Sequence, residues 1–71
     1  MDLKTAGEKG YLWIFNWQGG GYNNVIAKNR KEALVKIKKE FGKTTLKLDP
    51  KTLHAGTYEE LRTLDRAYAW D

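Results

Sequence analysis

The chain has no cysteine, one histidine, one proline and one methionine among its 71 residues. Without cysteine there is no disulfide framework and no thiolate metal site, and the composition fits a reducing compartment. With His54 alone, neither a histidine-based metal centre nor a conventional Ser-His-Asp triad can be assembled. No apolar run approaches the ~18 residues that a membrane-spanning helix needs. Residues 1–10 lack the apolar core and small-residue cleavage pattern of a secretory signal, and Met1 reads as the start of a complete small reading frame. These absences lead to the expectation of a cytoplasmic, non-enzymatic protein with no cofactor and no metal.

What is present is charge, unevenly placed. The formal charge is +4. Between residues 28 and 51 nine basic side chains stand against Glu32, Glu40 and Asp49, a balance of +6, whereas residues 57–71 carry −2. A basic middle and an acidic end point to an acidic protein or a polyanion as partner; the plainer alternative is the solvated surface of a lysine-rich small domain.

The second concentration is aromatic. Tyr11-Leu12-Trp13-Ile14-Phe15-Asn16-Trp17 holds four of the nine aromatic residues in seven positions. Its aromatic and β-branched content reads as a strand, and Gln18-Gly19-Gly20-Gly21 as a tight turn into a second strand, residues 22–28. With Gly19-Gly20 as a two-residue turn, opposed residue numbers sum to 39. Leu12, Ile14, Val25 and Ala27 then make a compact aliphatic face. Tyr11, Trp13, Phe15, Trp17 and Tyr22 make an aromatic one.

Asn29 is a preferred N-cap with Glu32 at the third helical position, and Ala33, Leu34, Ile37 and Phe41 form one apolar stripe. Gly42 is expected to end this helix in a left-handed conformation. The small aliphatic face of the hairpin is its expected seat. Glu32, Lys36 and Glu40 form an i,i+4 ladder. Thr44–Leu48 alternates as a third strand, with Leu46 and Leu48 toward the helix, and Asp49-Pro50 opens a single helical turn to Ala55 closed by Gly56. Thr57 and Glu60 have capping-box spacing and start a C-terminal helix to about Trp70, with a stripe of Tyr58, Leu61, Leu64, Ala67 and Tyr68. A helix between the second and third strands makes those two parallel, so the first strand lies between them. The expected fold class is α+β: a three-stranded antiparallel sheet of order 2-1-3, β-β-α-β topology, and a C-terminal helix. Residues 1–10 are expected as a flexible arm and 11–71 as one compact domain.

Gly42-Lys43-Thr44 matches the tail of a phosphate-binding P-loop, but the leading glycine would have to be residue 37, which is Ile37, and a helix rather than a strand precedes it. Glu59 and Glu60 are neighbours on a helix and do not face each other, so no acid–base pair is apparent. The candidate binding surface is instead Tyr11, Trp13, Phe15, Trp17 and Tyr22, flanked by Lys28 and Lys47, together with Arg30, Lys31, Lys38 and Lys39 on the helix. Aromatic rings beside cations suit a single-stranded nucleic acid and suit a protein interface equally. The competing arrangement has the C-terminal helix folded over the rings; pairing of two copies through that face is intermediate. Monomer and homodimer both remain open.

The order of hairpin, then Val25-Ile26-Ala27-Lys28-Asn29-Arg30-Lys31-Glu32-Ala33-Leu34 entering a helix, then a short strand, resembles small phage-encoded proteins that bind and inhibit host enzymes, including the type that blocks bacterial RNA polymerase. The resemblance covers residues 11–48 and implies a non-enzymatic protein that binds a larger host or partner protein as an inhibitor or regulator. Such inhibitors often carry an acidic surface, whereas this segment is basic; the C-terminal helix is additional, and no functional residue carries over. The alternative function is a nucleic-acid-binding module using the basic segment 28–51 and the aromatic face.

Overall fold

In a computed structural model that describes residues 1–42 and 47–68, the elements run α1 (Leu3–Glu8), β1 (Leu12–Trp17), β2 (Tyr22–Ile26), α2 (Arg30–Phe41), β3 (Leu48–Ala55) and α3 (Tyr58–Tyr68). The sheet has the order β2-β1-β3 with both pairings antiparallel, so the α+β class and the central position of β1 are as expected. Thr44, Thr45 and Leu46 of the expected third strand lie outside the described residues.

The hairpin is set one residue away from the expected register. Leu12 pairs with Ile26, Ile14 with Asn24 and Asn16 with Tyr22, so paired numbers sum to 38. The cause is a three-residue loop. Trp17 N–H donates to Gly21 O and Gly20 N–H donates to Trp17 O, each at 3.1 Å, leaving Gln18-Gly19-Gly20 in the turn. Gly20 and Gly21 take φ of 105° and 86°, which side chains with a Cβ rarely adopt. Because side chains alternate, a slip of one exchanges the whole inventory of β2 between faces. Val25 and Ala27 join Trp13, Phe15 and Trp17, while Ile26 and Tyr22 join Leu12 and Ile14.

That exchange sets the two half-cores. On one side α2 brings Ala33 and Ile37 onto Phe15, Trp17, Val25, Ala27 and Leu53, with Trp13, Phe41 and Leu48 at the margin. On the other, Leu12 and Ile14 meet Ala6 of α1 and Leu61 of α3, with Leu3, Tyr11, Tyr22, Ile26 and Leu64 around them. The helix expected on the aliphatic face therefore sits on the aromatic one. The C-terminal helix, offered as the cover for the rings, covers Leu12 and Ile14 instead. β1 is buried on both faces, as a central strand between two helical layers should be.

Three local readings are corrected. Residues 1–10, expected as an arm, contain α1, capped by Asp2, whose carboxylate accepts Thr5 N–H at 2.7 Å and is held below the usual carboxylate pKa chiefly by that bond. Two apolar residues, Leu3 and Ala6, are enough to dock six helical ones but too few to show a period. Gly42 closes α2 in the right-handed region (φ −64°) rather than the left-handed one. Residues 49–55 are strand, not a helical turn. Asp49 Oδ1 accepts Lys51 N–H at 3.2 Å, and Thr52 Oγ1 donates to Asp49 O at 2.7 Å while accepting Asn16 N–H at 2.8 Å. The pairing with β1 jumps from Ile14↔His54 to Asn16↔Asp49 across this irregularity. An edge strand with a bulge is where Pro50, lacking an N–H, does least harm.

Candidate functional site

Of the eleven candidate surface residues, the aromatic ones are largely absorbed by the fold. Phe15 is fully buried and Trp17 is 7% exposed. Their rings meet edge to face at 5.2 Å, and Trp17 and Phe41 do so at 5.4 Å, locking α2 onto the sheet. Trp13 is half-buried and donates its indole N–H to Ala27 O at 3.0 Å. Tyr11 and Tyr22 pack with the Leu12 and Ile14 cluster, and Tyr22 Oη bonds to Asp65 Oδ1 of α3. The five rings thus do not form one open platform.

Arg30 also has structural employment. Its guanidinium donates to Leu53 O and Pro50 O, each at 3.0 Å, tying the start of α2 to the irregular stretch of β3. Asn29 Oδ1 caps the helix by accepting Glu32 N–H at 2.8 Å, as its position in the sequence predicts. Lys36 donates to Ile26 O at 2.6 Å and lies 3.4 Å from Glu32.

What remains presented to solvent is the outer side of α2. Lys31, Val35, Lys38 and Lys39 recur at helical spacing opposite the buried Ala33 and Ile37, and all four are exposed. Val35 is 62% exposed and Leu34, on the shoulder, 36%; with Met1 they are the exposed large hydrophobic residues among those described. Lys31, Lys38 and Lys39 have no ion pair, nor do exposed Lys28 and Lys47, among the described residues. Between the last turn of α2 and the start of β3 lies a groove of about 370 Å³ lined by Trp17, Leu34, Ile37, Lys38, Phe41, Gly42 and Leu48. Val35 is the member that the sequence missed; it lies off the core stripe, and an isolated valine among lysines carries no periodic signal.

A second polar feature joins β3 to α3. His54 Nδ1 is 2.6 Å from Thr52 O, and Nε2 is 2.8 Å and 3.1 Å from the two carboxylate oxygens of Glu60. Both ring nitrogens face acceptors, so the imidazolium satisfies the arrangement and neutral imidazole satisfies half of it. The His54 pKa is accordingly raised, first by the Thr52 carbonyl and then by Glu60, against the opposing effect of burial. Among the described residues no cluster of three or more His, Asp or Glu could hold a metal ion, and no helix is long and apolar enough to cross a membrane.

Compared with protein-family models, curated proteins and solved structures, the chain has no significant match. The functional reading therefore stands on the geometry of α2 and its surroundings.

Proposed function

We propose that this chain is a non-enzymatic interaction protein that binds a larger protein through the outward side of α2, as an inhibitor or regulator of that partner. The observation that carries the reading is Val35, 62% exposed between Lys31, Lys38 and Lys39 on a helix that buries Ala33 and Ile37 on its opposite side. A small domain can leave an aliphatic side chain in water at little cost, but two adjacent ones framed by cations with no ion pair among the described residues form a surface with both contact area and sign. The burial of Phe15 and Trp17 counts against a contact through those rings and so favours the helix in this reading.

A nucleic-acid-binding module is the second reading, favoured by the same lysines, Lys28, Lys31, Lys38, Lys39 and Lys47, which have no ion pair among the described residues. It loses the stacking surface that would accompany single-strand binding, since the Phe15 and Trp17 rings are enclosed. Phosphate binding predicts an affinity that falls steeply with salt. Absence of DNA or RNA binding at low salt would remove this reading.

The test of the protein-partner reading is site-specific photo-cross-linking from position 35 in a nuclease-treated lysate of the source cells. A discrete adduct that disappears in the Lys38→Glu chain is the expected result. No adduct, or the same adducts from a probe placed at exposed Thr63 on α3, would count against it.

A further inference from the structure

The groove at the C-terminal end of α2 has a composition that selects an occupant. Its lining is apolar apart from Lys38, and Trp17 and Phe41, crossing at 77° with centroids 5.4 Å apart, contribute two ring walls to it. A dry cavity of about 150 Å³ accepts benzene, so a groove of about 370 Å³ has room for one bulky side chain together with part of its backbone. Two aromatic rings and the aliphatic Leu34, Ile37 and Leu48 in the lining favour an aromatic guest, which gains ring–ring contacts beyond simple burial.

The rim supplies the sign. Lys38 lines the groove, Lys39 and Lys31 continue along the same helix, and Lys47 immediately precedes the lining residue Leu48. Lys36, whose charge is partly met by Glu32, lies on the other flank. By contrast, the cavity between α1 and α3 mixes Lys4 and Arg62 with Glu8 and Glu59 and selects neither sign. Trp17 meets the groove while only 7% exposed, so it can wall a pocket for an inserted side chain but offers no open face for a base to stack on.

We propose that this groove receives an aromatic side chain from an acidic peptide segment of the partner, with flanking carboxylates on Lys31, Lys38, Lys39 and Lys47. The inference rests on the reading of α2 as the interaction surface and adds the anchor and the charge of what binds there.

The test uses the ¹⁵N-labelled 71-residue chain and four probes: a short peptide with a central Phe between Asp and Glu residues, the same peptide with Ala for Phe, the same with Lys for the acids, and a single-stranded DNA oligonucleotide. The acidic Phe peptide should shift the amides of Leu34, Ile37, Lys38, Phe41 and Leu48, and should bind about tenfold or more tightly than the Ala version, as expected for an inserted aromatic anchor. Lys38→Glu, an exposed change whose spectrum reports an intact fold, should weaken that binding. The proposal is overturned if the Phe peptide shifts residues elsewhere or none, if the Ala or Lys peptide binds as well, if DNA binds more tightly at these residues, or if they shift with protein concentration alone and so mark contact between copies. An adduct from position 35 with no response to the Phe peptide would sink the groove inference and leave the wider reading standing. Failure of both would remove both.

Discussion

The Glu60 carboxylate lies against His54 Nε2, with its nearer oxygen at 2.8 Å, while its own backbone N–H donates to Thr57 Oγ1 at 3.1 Å. Thr57 thus caps α3 as its spacing to Glu60 predicts. The glutamate, which would return to the Thr57 amide in a full capping box, is instead spent on the neighbouring strand. The pair joins the end of β3 to the first turn of α3.

Protonation of His54 is expected to stabilise the fold. Its folded pKa is raised above the ordinary 6.5, so the contribution is complete below that value and is lost as pH rises through the folded one. The pair is nearly half exposed, so after solvent screening the effect should stay under about 1 kcal/mol. Comparing denaturant midpoints of the wild type and His54→Gln at pH 6 and pH 8 checks this: the advantage of the wild type should shrink at the higher pH. NMR titration of the imidazole should give a pKa above 6.5 that falls in Glu60→Gln.

Gly56 is required for steric reasons rather than conformational ones. A Cβ placed there would come within 2.6 Å of Ile14 Cδ1, which is fully buried and has nowhere to go, and would also meet the Glu60 carboxylate. Gly56→Ala should therefore cost about 1–3 kcal/mol, the range for overpacking a filled site. Urea unfolding of the variant would measure it, and an unchanged midpoint would contradict the packing of β1 against the β3–α3 corner.

Arg30 spans two carbonyls, Leu53 O and Pro50 O, with separate guanidinium nitrogens. A lysine ammonium cannot reproduce that fork. Both Arg30→Ala and Arg30→Lys should lower stability by about 1–2 kcal/mol, from charge-assisted bonds discounted for partial exposure. Rescue by lysine in thermal or urea melts would show that charge alone, rather than geometry, ties α2 to β3.

Phe15 is the fully buried ring beneath α2. Phe15→Ala should cost about 3–5 kcal/mol, against a total of only about 4–11 kcal/mol for a chain of this length, leaving it marginal or unfolded. Trp17, 7% exposed beside Phe15, should be quenched only weakly by acrylamide in a Trp13→Phe, Trp70→Phe chain, where it is the sole tryptophan. Strong quenching there would contradict the placement of α2 over the aromatic face.

The sequence by itself determined the elements that carry strong local signals. Aromatic and β-branched content marked residues 11–17 as a strand, Asn29 and Thr57 marked the starts of α2 and α3, and the connection from β2 through a helix to β3 placed β1 in the middle. It also determined that Lys31, Lys38 and Lys39 lie off the core stripe of α2, because spacing alone sorts a helix into sides. It did not determine which helix covers which face. Both faces of β1 are apolar, so composition could not choose, and one extra residue in a glycine-rich turn moved Val25 and Ala27 from the aliphatic side to the aromatic one. The landing of a β-α-β crossover is governed by chain handedness rather than by the size match of side chains. Only the tertiary structure decided that the rings of Phe15 and Trp17 belong to the core, that residues 49–55 extend as an edge strand and bring His54 to Glu60, and that Val35 stands in water. Each depends on partners distant in sequence, which no local period or cap encodes.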